Sequence, residues 1–200
     1  MNILITGISC SGKTTFADEI NGLHFEQDWY FKDKKEIPIC KKGYLFDSPN
    51  AFHQGEFRRD VMTLLSQGEV FVPNYDIKIN RRISKDRLIV SRKINVFEGL
   101  HTINELKDLS DALKIFMDIP LDEILERRIK RDLKYGIKES EIIRYFKEVM
   151  IPMYRMYIES QKQYADIVIE SEGDKLCLLK KLQTLSQMQK NQKIYLKVQH

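Results

Sequence analysis

The residues best placed to do chemistry lie near the start of the chain, at positions 7–14 (GISCSGKT). The two glycines allow backbone angles that a β-carbon would forbid, so successive N–H groups can surround a phosphate. Lys13 supplies a mobile positive charge for the β- and γ-phosphates, and the hydroxyl of Thr14 is a ligand for Mg²⁺. An apolar run precedes this segment and a helix-like run follows, which is the context that the pattern requires. The sequence therefore predicts a loop that binds a nucleoside triphosphate.

Two acidic residues lie at the ends of predicted strands. Asp28 follows the strand expected at 23–26, and Glu98 is near the end of an apolar run at 94–99. Ligands of open α/β sheets bind where parallel strands end. Asp28 is therefore a candidate general base for an attacking hydroxyl, although an aspartate here also fits a helix or turn cap. Glu98 is a candidate for holding Mg²⁺ or its water, and a solvated strand-end acid is the alternative.

A predicted helix at 121–134 carries a series of arginines. Arg127 and Arg131 are four residues apart and share one face, and Arg128 lies beside them. A glycine-containing loop follows, which suits a lid that closes over a triphosphate and neutralises charge in the transition state. A surface helix whose arginines pair with its own acidic residues is the alternative.

The composition predicts one globular domain. The chain has 200 residues, of which 42% are hydrophobic and 31% are charged, with a formal net charge of +4. Because this charge is small and interspersed, we expect an anionic small-molecule substrate and no nucleic-acid partner. Three separated cysteines match no metal or disulfide pattern, which favours a cytoplasmic protein. We expect no signal peptide and no membrane span.

Strand and helix patterns alternate along the chain, which predicts an α/β fold. We expect Asp47 to cap the second helix and Pro152 to interrupt a later one. The strands are expected at 2–6, 23–26, 69–73, 88–90, 94–99, 113–119 and 164–169, and the helices at 14–21, 51–67, 121–134, 140–164 and 174–189, with a strand or frayed tail at 193–198.

Several motifs, taken in order, resemble those of the uridine kinase (uridine–cytidine kinase) family. The phosphate loop resembles the glycine-rich opening of that family with one residue fewer, and Asp28 lies in a similar Gln-Asp-aromatic motif. The other similar segments are 46–52 (FDSPNAF), 72–76 (VPNYD), 96–100 (VFEGL), 127–132 (RRIKRD), 152–154 (PMY) and 162–169 (KQYADIVI). The resemblance extends over roughly residues 2–170.

This resemblance implies a doubly wound parallel sheet of the P-loop kinase type, with a small inserted substrate-site hairpin and an arginine-bearing lid. It implies a single kinase domain over residues 1–200, with the inserted hairpin at about 69–93, lid helices at about 121–150 and a C-terminal tail at 190–200. The implied activity is transfer of the γ-phosphoryl group of ATP to the 5′-hydroxyl of a ribonucleoside similar to uridine or cytidine, with ATP and Mg²⁺ as cofactors. The implied partner is a nucleoside, and a homo-oligomer is allowed.

The resemblance also implies individual roles. Asp28 takes the position of the catalytic base, Asp47 that of the ligand for the ribose hydroxyls, and Tyr75 that of a contact to the acceptor base. Arg128 and Arg131 take lid positions and act together with Lys13. The residues expected at the phosphates of ATP are Gly7, Ser9, Cys10, Ser11, Gly12, Lys13, Thr14 and Thr15, and those expected at Mg²⁺ are Thr14 and Glu98. The residues expected at the acceptor are Asp47, Phe46, Tyr75, Phe31, Asn80 and Arg82.

Departures from the family pattern concern the acceptor and the lid. Phe31 stands where the family has tyrosine, Asn80 lies near its histidine, and Tyr135 and Ile137 replace arginines beside the lid glycine. Since buried hydrogen bonds to a base strongly decide selectivity, these changes leave the acceptor open.

Two alternatives to a uridine kinase-like enzyme follow. The first is an enzyme similar to nicotinamide riboside kinases, which resemble this chain in the Gln-Asp-aromatic motif and at residues 42–45 and 152–154. The second is a non-enzymatic nucleotide-binding regulator, which would not need the acceptor base Asp28.

Overall fold

The computed structural model describes residues 1–184, and a five-stranded parallel sheet forms its centre. The strands are buried on both faces, because Ile3 and Ile5 of the first strand lie in one apolar core whereas Leu4 lies in the other. Burial on both faces is what a parallel sheet with helices on each side requires. The predicted doubly wound α/β fold is confirmed.

The central sheet has the strand order β2-β7-β1-β8-β9, and the pairs β3–β4 and β5–β6 form separate antiparallel hairpins. The strands are β1 (Asn2–Gly7), β2 (Leu23–Glu26), β3 (Ile39–Cys40), β4 (Gly43–Tyr44), β5 (Glu69–Asp76), β6 (Arg81–Val90), β7 (Asn95–Gly99), β8 (Ala112–Met117) and β9 (Ile167–Ile169). The helices are α1 (Lys13–Glu19), α2 (Gln54–Gln67), α3 (Thr102–Leu106), α4 (Leu121–Asp132) and α5 (Glu139–Tyr145). Helical turns continue over 146–164, and a last helix spans 172–184.

The hairpin of β5 and β6 follows α2 and is attached to it by ion pairs. The Nη2 of Arg82 donates to Glu56 at 2.7 Å, and the Nζ of Lys85 donates to Glu56 and to Asp60 at 3.0 Å. The pairing of the two strands shifts register around Pro73, which lacks the N–H that a regular ladder needs. The predicted inserted hairpin is thus present, with β6 longer than the strand expected at 88–90.

Two local predictions are wrong. Asp47 does not cap the second helix, because α2 begins only at Gln54 and the turn before it is capped by Ser48, whose Oγ accepts from the N–H of Asn50 at 3.2 Å. Pro152 does not interrupt the long helical segment either. Wider π-type turns precede and follow it, and they accommodate the missing N–H without ending the helix.

The end of the chain was only partly predictable. The helix expected at 174–189 is observed over 172–184. The rest of that helix, the strand or tail at 193–198 and the tail at 190–200 lie outside the described residues. Within residues 1–184, no helix combines the length and the apolar character needed to cross a bilayer.

Phe25 tests the packing between the sheet and α2. Its side chain is fully buried, and its ring centroid lies 5.0–6.1 Å from those of Trp29, Tyr30, Phe57 and Phe97. We expect Phe25→Ala to lower the free energy of unfolding by about 3–5 kcal/mol, since it leaves a cavity in this cluster. Urea denaturation measures the change.

The matched control is Phe71→Ala, because Phe71 is exposed on the hairpin. This control should change stability by less than about 0.5 kcal/mol. Equal effects of the two substitutions would contradict the packing described for Phe25.

Candidate active site

The loop between β1 and α1 has the backbone that a phosphate-binding loop needs. Gly12 has φ +93°, in the left-handed region that favours glycine. A β-carbon on Gly7 would lie 2.6 Å from the carbonyl oxygen of Met117 on β8, so only glycine fits against that strand. Cys10 also has positive φ, at 71°. The loop therefore has a left-handed backbone conformation at Cys10 and Gly12, and it packs tightly against the sheet at Gly7.

Polar side chains of this loop present donors suited to phosphate oxygens. The Nζ of Lys13 donates to the carbonyl of Ile8 at 3.0 Å, so the lysine folds back over the loop. The hydroxyl of Ser11 is fully buried and has no hydrogen-bond partner in the described part of the chain. Because the Ser11 hydroxyl lies beneath the lining of the cleft, Lys13 is the donor of this pair that phosphate oxygens can reach.

Glu98 lies beside the loop because parallel strands end at a common edge. In the sheet register, Glu98 of β7 is opposite Ile5 of β1 on one side and Glu26 of β2 on the other. The hydroxyl of Thr14 donates to Oε1 of Glu98 at 2.9 Å. A hydroxyl and a carboxylate in contact are oxygen ligands of the kind that Mg²⁺ binds together with phosphates and water.

His24 on β2 was not identified from the sequence, yet it contacts Glu98 directly. Its Nε2 lies 3.4 Å from Oε1 of Glu98, and its Nδ1 lies 2.8 Å from Oδ1 of Asp18 on α1. Burial disfavours the protonated ring, but the hydrogen bonds to these two carboxylates outweigh it and raise the pKa of His24. Only the alternation of β2 places this side chain on the same face as α1, and no local motif marks it.

Glu98 remains ionised despite being buried. Burial raises its pKa, but the hydrogen bond from His24, the charge of Lys13 and the hydrogen bond from Thr14 together lower the pKa below its usual value. A buried carboxylate kept in the charged form can hold a cation. Within residues 1–184 no group of three or more His, Cys, Asp or Glu side chains has the arrangement of a metal site, so any Mg²⁺ here must take most of its ligands from phosphate and water.

Asp28 lies on the floor of the cleft, in a short helical turn that directly follows β2. Asp28 is exposed to the cleft, yet desolvation by the surrounding protein and the nearby charge of Glu98 raise its pKa to about 7, while the charge of Lys13 opposes this rise. An aspartate that titrates near neutral pH can accept a proton from a hydroxyl at physiological pH.

Asp47 is nearly fully buried and also faces the cleft. Its Oδ2 has no hydrogen-bond partner among the residues that the structure describes. Burial raises the pKa of Asp47 above its usual value, although the charges of Arg128, Lys13 and Arg131 act in the opposite direction. The carboxylate is thus free to accept hydrogen bonds from a ligand.

His101, for which the sequence suggested no partner, supports the backbone of Asp47. Its Nε2 donates to the carbonyl oxygen of Asp47 at 3.1 Å. Burial lowers the pKa of His101 to about 4, so the ring is neutral and Nε2 carries the proton. The contact spans 54 positions in the sequence, which is why local patterns could not reveal it.

The arginines of α4 border the cleft opposite Lys13. Arg128 and Arg131 each donate from Nε to Asp132, at 2.6 and 2.7 Å, and both side chains line the cleft. Arg127, which the sequence placed on the same face without a site role, donates from Nη1 to the carbonyl of Ser11 at 3.3 Å and also lines the cleft. The ion pairs expected of the surface-helix alternative are therefore present, and the same arginines line the cleft. Closure of this helix over a triphosphate, as a lid, stays a prediction.

Most predicted site residues surround one cleft of about 660 Å³. Gly7 and Ser11 lie beneath its lining. Tyr75 borders an adjoining cavity and donates its hydroxyl to the carbonyl of Lys32 at 3.3 Å, and Arg82 is directed toward Glu56. The predicted residues that line the cleft are Ser9, Cys10, Gly12, Lys13, Thr14, Thr15, Asp28, Phe31, Phe46, Asp47, Asn80, Glu98, Arg128 and Arg131.

The raised pKa of Asp28 makes the stability of the protein depend on pH. The folded chain retains a proton up to about pH 7 that the unfolded chain, with the ordinary value of 3.8, has already lost. Ionising Asp28 therefore costs stability between about pH 4 and 7. We expect Asp28→Asn to be more stable than the unmodified protein, by a margin that grows between pH 5 and pH 8.

Urea midpoints at pH 5 and pH 8 measure this margin. Asp111→Asn is the control, because Asp111 is an exposed carboxylate just before the start of β8, at the end of the strands that lies away from the cleft. A margin for Asp28→Asn that shrinks as the pH rises would contradict the raised pKa.

The sequence of this chain is similar to a family model and to curated proteins over most of its length. The family model described as Phosphoribulokinase / Uridine kinase family matches residues 2–177. A uridine kinase of Mycoplasma genitalium is 34% identical over 177 residues, covering 84% of this chain and 83% of the relative. A uridine kinase of Ligilactobacillus salivarius is 32% identical over 183 residues, covering 85% and 84%.

The fold has solved relatives as well. A phosphoribulokinase from Rhodobacter spheroides superimposes with a TM-score of 0.57 at 17% identity, over 84% of this chain and 68% of that one. This likeness concerns the fold alone. The sequence matches extend over most of the chain and include the strands and loops that form the cleft, and on that basis the protein is a member of the phosphoribulokinase / uridine kinase family.

Proposed function

We propose that this protein is a nucleoside kinase that transfers the γ-phosphoryl group of ATP to the 5′-hydroxyl of a ribonucleoside similar to uridine or cytidine. The observation that carries the proposal is the meeting of two free carboxylates with a phosphate loop in one cleft. Asp28 and Asp47 line the same cavity as Lys13 and the arginines of α4. A protein that only bound ATP would need neither carboxylate.

The donor side of the cleft suits a triphosphate. The loop of residues 7–15 surrounds the N-terminus of α1, where backbone N–H groups and the helix dipole favour anions. The ammonium of Lys13 adds a donor at the same place. Arg128 and Arg131 line the same cleft as the loop and would neutralise charge that develops on the transferred group.

Thr14 and Glu98 are the residues that would hold Mg²⁺. The fit rests on their contact at 2.9 Å and on the lowered pKa of Glu98, which keeps a negative charge at the end of β7. When bound, Mg²⁺ would neutralise charge on the phosphate oxygens. His24 would keep the carboxylate of Glu98 oriented toward the loop through its contact at 3.4 Å.

Asp28 would accept the proton of the acceptor hydroxyl. As the O–H bond breaks, the hydroxyl oxygen attacks the γ-phosphorus and the bond to the leaving ADP oxygen breaks. A pKa of about 7 leaves a useful fraction of Asp28 ionised at neutral pH while keeping it basic enough to take the proton. Asp47 would accept hydrogen bonds from the ribose hydroxyls and so hold the 5′-hydroxyl near Asp28.

Substitution of the proposed base tests the chemistry. We expect Asp28→Asn to lower kcat by about 10²–10⁴-fold, because the amide cannot accept the proton. Affinity for ATP should be unchanged, since the phosphate loop is untouched. Production of ADP measures turnover, equilibrium dialysis measures ATP binding, and Asp111→Asn again serves as the control.

Unchanged turnover in Asp28→Asn would rule out this residue as the base. Turnover without any acceptor, equal in the two proteins, would instead favour the nucleotide-binding regulator.

The acceptor requires a separate test. We expect ADP production to depend on uridine or cytidine and to be weak with nicotinamide riboside. For the preferred nucleoside, Asp47→Asn should raise KM by about tenfold or more with a smaller effect on kcat, since the carboxylate would bind the ribose hydroxyls. Preference for nicotinamide riboside would retain the roles of Asp28 and Asp47 but overturn the pyrimidine assignment.

A further inference from the structure

A second cavity of about 440 Å³ adjoins the cleft on the side of the hairpin. It shares Asp28, Phe31 and Ile77 with the main cleft, so a molecule held at Asp28 can extend into it. Its remaining wall comes from the end of β2, from Trp29 and from both strands of the hairpin. The cavity is therefore continuous with the place where the acceptor hydroxyl would react.

Arg87 on β6 is the unusual residue of this cavity. Its guanidinium packs over the ring of Trp29, with 3.6 Å from the central carbon to the ring centroid. The Nε and Nη2 atoms of Arg87 are buried and have no hydrogen-bond partner in residues 1–184. Buried charged donors without a partner are costly to a folded protein.

The other polar residues of the hairpin wall already have partners. The side-chain amide of Asn74 donates to Ser84 and Asp86. The hydroxyl of Tyr75 donates to the backbone of Lys32.

Asp76 accepts a hydrogen bond from the N–H of Lys78. The carboxylate of Glu26 at the end of β2 also lines the cavity, where it interacts with the side chain of Trp29 and with the charge of Arg87. Arg87 and two carboxylates, Glu26 and Asp28, therefore border the same space.

We propose that Arg87 is a specificity-determining residue for the acceptor: its unpartnered guanidinium donates hydrogen bonds to a carbonyl oxygen of the nucleoside base. This proposal rests on the proposed function, because it takes a nucleoside as the ligand. The ligand class is a neutral base with a carbonyl oxygen, as in a pyrimidine. Recognition would thus come from β6, whereas Phe31 has no hydroxyl with which to contact the base.

The main rival explanation is structural, since Arg87 also attaches the hairpin to Trp29. Kinetics with base analogues separate the two roles. The analogues are the ribosides of pyrimidin-2-one and pyrimidin-4-one, each of which lacks one carbonyl oxygen of uridine and the proton on N3. A hydrogen bond between Arg87 and a carbonyl couples the substitution to the loss of that oxygen, whereas a structural role affects all three substrates equally.

We expect Arg87→Gln to lower kcat/KM for uridine by about 10- to 100-fold, mainly through KM, because a hydrogen bond to a charged donor is lost. For the analogue that lacks the contacted oxygen, the loss should be at most about threefold. Arg87→Lys should be intermediate, since it keeps the charge without the planar edge. Arg81→Gln, at an exposed position on the same strand, is the matched control and should behave like the unmodified protein. Equal losses with uridine and both analogues would overturn the proposal.

Trp29 offers a readout that does not depend on turnover, because it is the sole tryptophan of the chain and contacts Arg87. Titration of its fluorescence with uridine should give a Kd that rises about 10- to 100-fold in Arg87→Gln and stays constant in Arg81→Gln.

The two proposals fail in different ways. Absence of turnover with every nucleoside would refute the kinase assignment, while a uridine Kd weakened by Arg87→Gln would still support base recognition by Arg87. Turnover with the same Kd and the same selectivity in Arg87→Gln would overturn the role of Arg87 alone.

Discussion

The positive charge of Lys13 acts on three carboxylates of the cleft. Lys13 lowers the pKa of Asp28, of Asp47 and of Glu98, although burial acts on each in the opposite direction. The lysine is itself buried at the start of α1, so its position is set by the loop and not by solvent. Without this charge the three acids would repel one another in a partly dehydrated space. The pKa of each carboxylate thus depends on burial, on repulsion by the other acids and on nearby positive charge.

The balance differs from one carboxylate to the next because each has different neighbours. Glu98 receives hydrogen bonds from Thr14 and His24 and stays charged, whereas Asp28 has no comparable donor and titrates near pH 7. Asp47 is influenced by Arg128 and Arg131 from across the cleft. Glu98 thus keeps a negative charge, whereas Asp28 can take up and release a proton near neutral pH. The proposed phosphoryl transfer to a hydroxyl would use both properties.

The two ends of the cleft are built by different means. The proposed phosphate end is formed by backbone, through the loop after β1 and the tight approach of Gly7 to Met117. The proposed acceptor end is formed by side chains of the hairpin and of the turn after β2, including Trp29 and Arg87. Because side chains can change without altering the fold, we expect acceptor selectivity to reside at this end.

Residue types and spacing by themselves determined the phosphate loop, the alternation of strands and helices, and the candidacy of Asp28 and Glu98. These are local properties: glycines in a turn, apolar runs, and acids at strand ends. Tertiary structure decided the contacts of His24 with Glu98 and of His101 with Asp47, the approach of Arg127 to the loop, and the direction of Arg82 toward Glu56. The stacking of Arg87 on Trp29 likewise joins residues 58 positions apart. Each of these contacts connects distant parts of the chain, and only the register of the sheet and the attachment of the hairpin to α2 bring such side chains together.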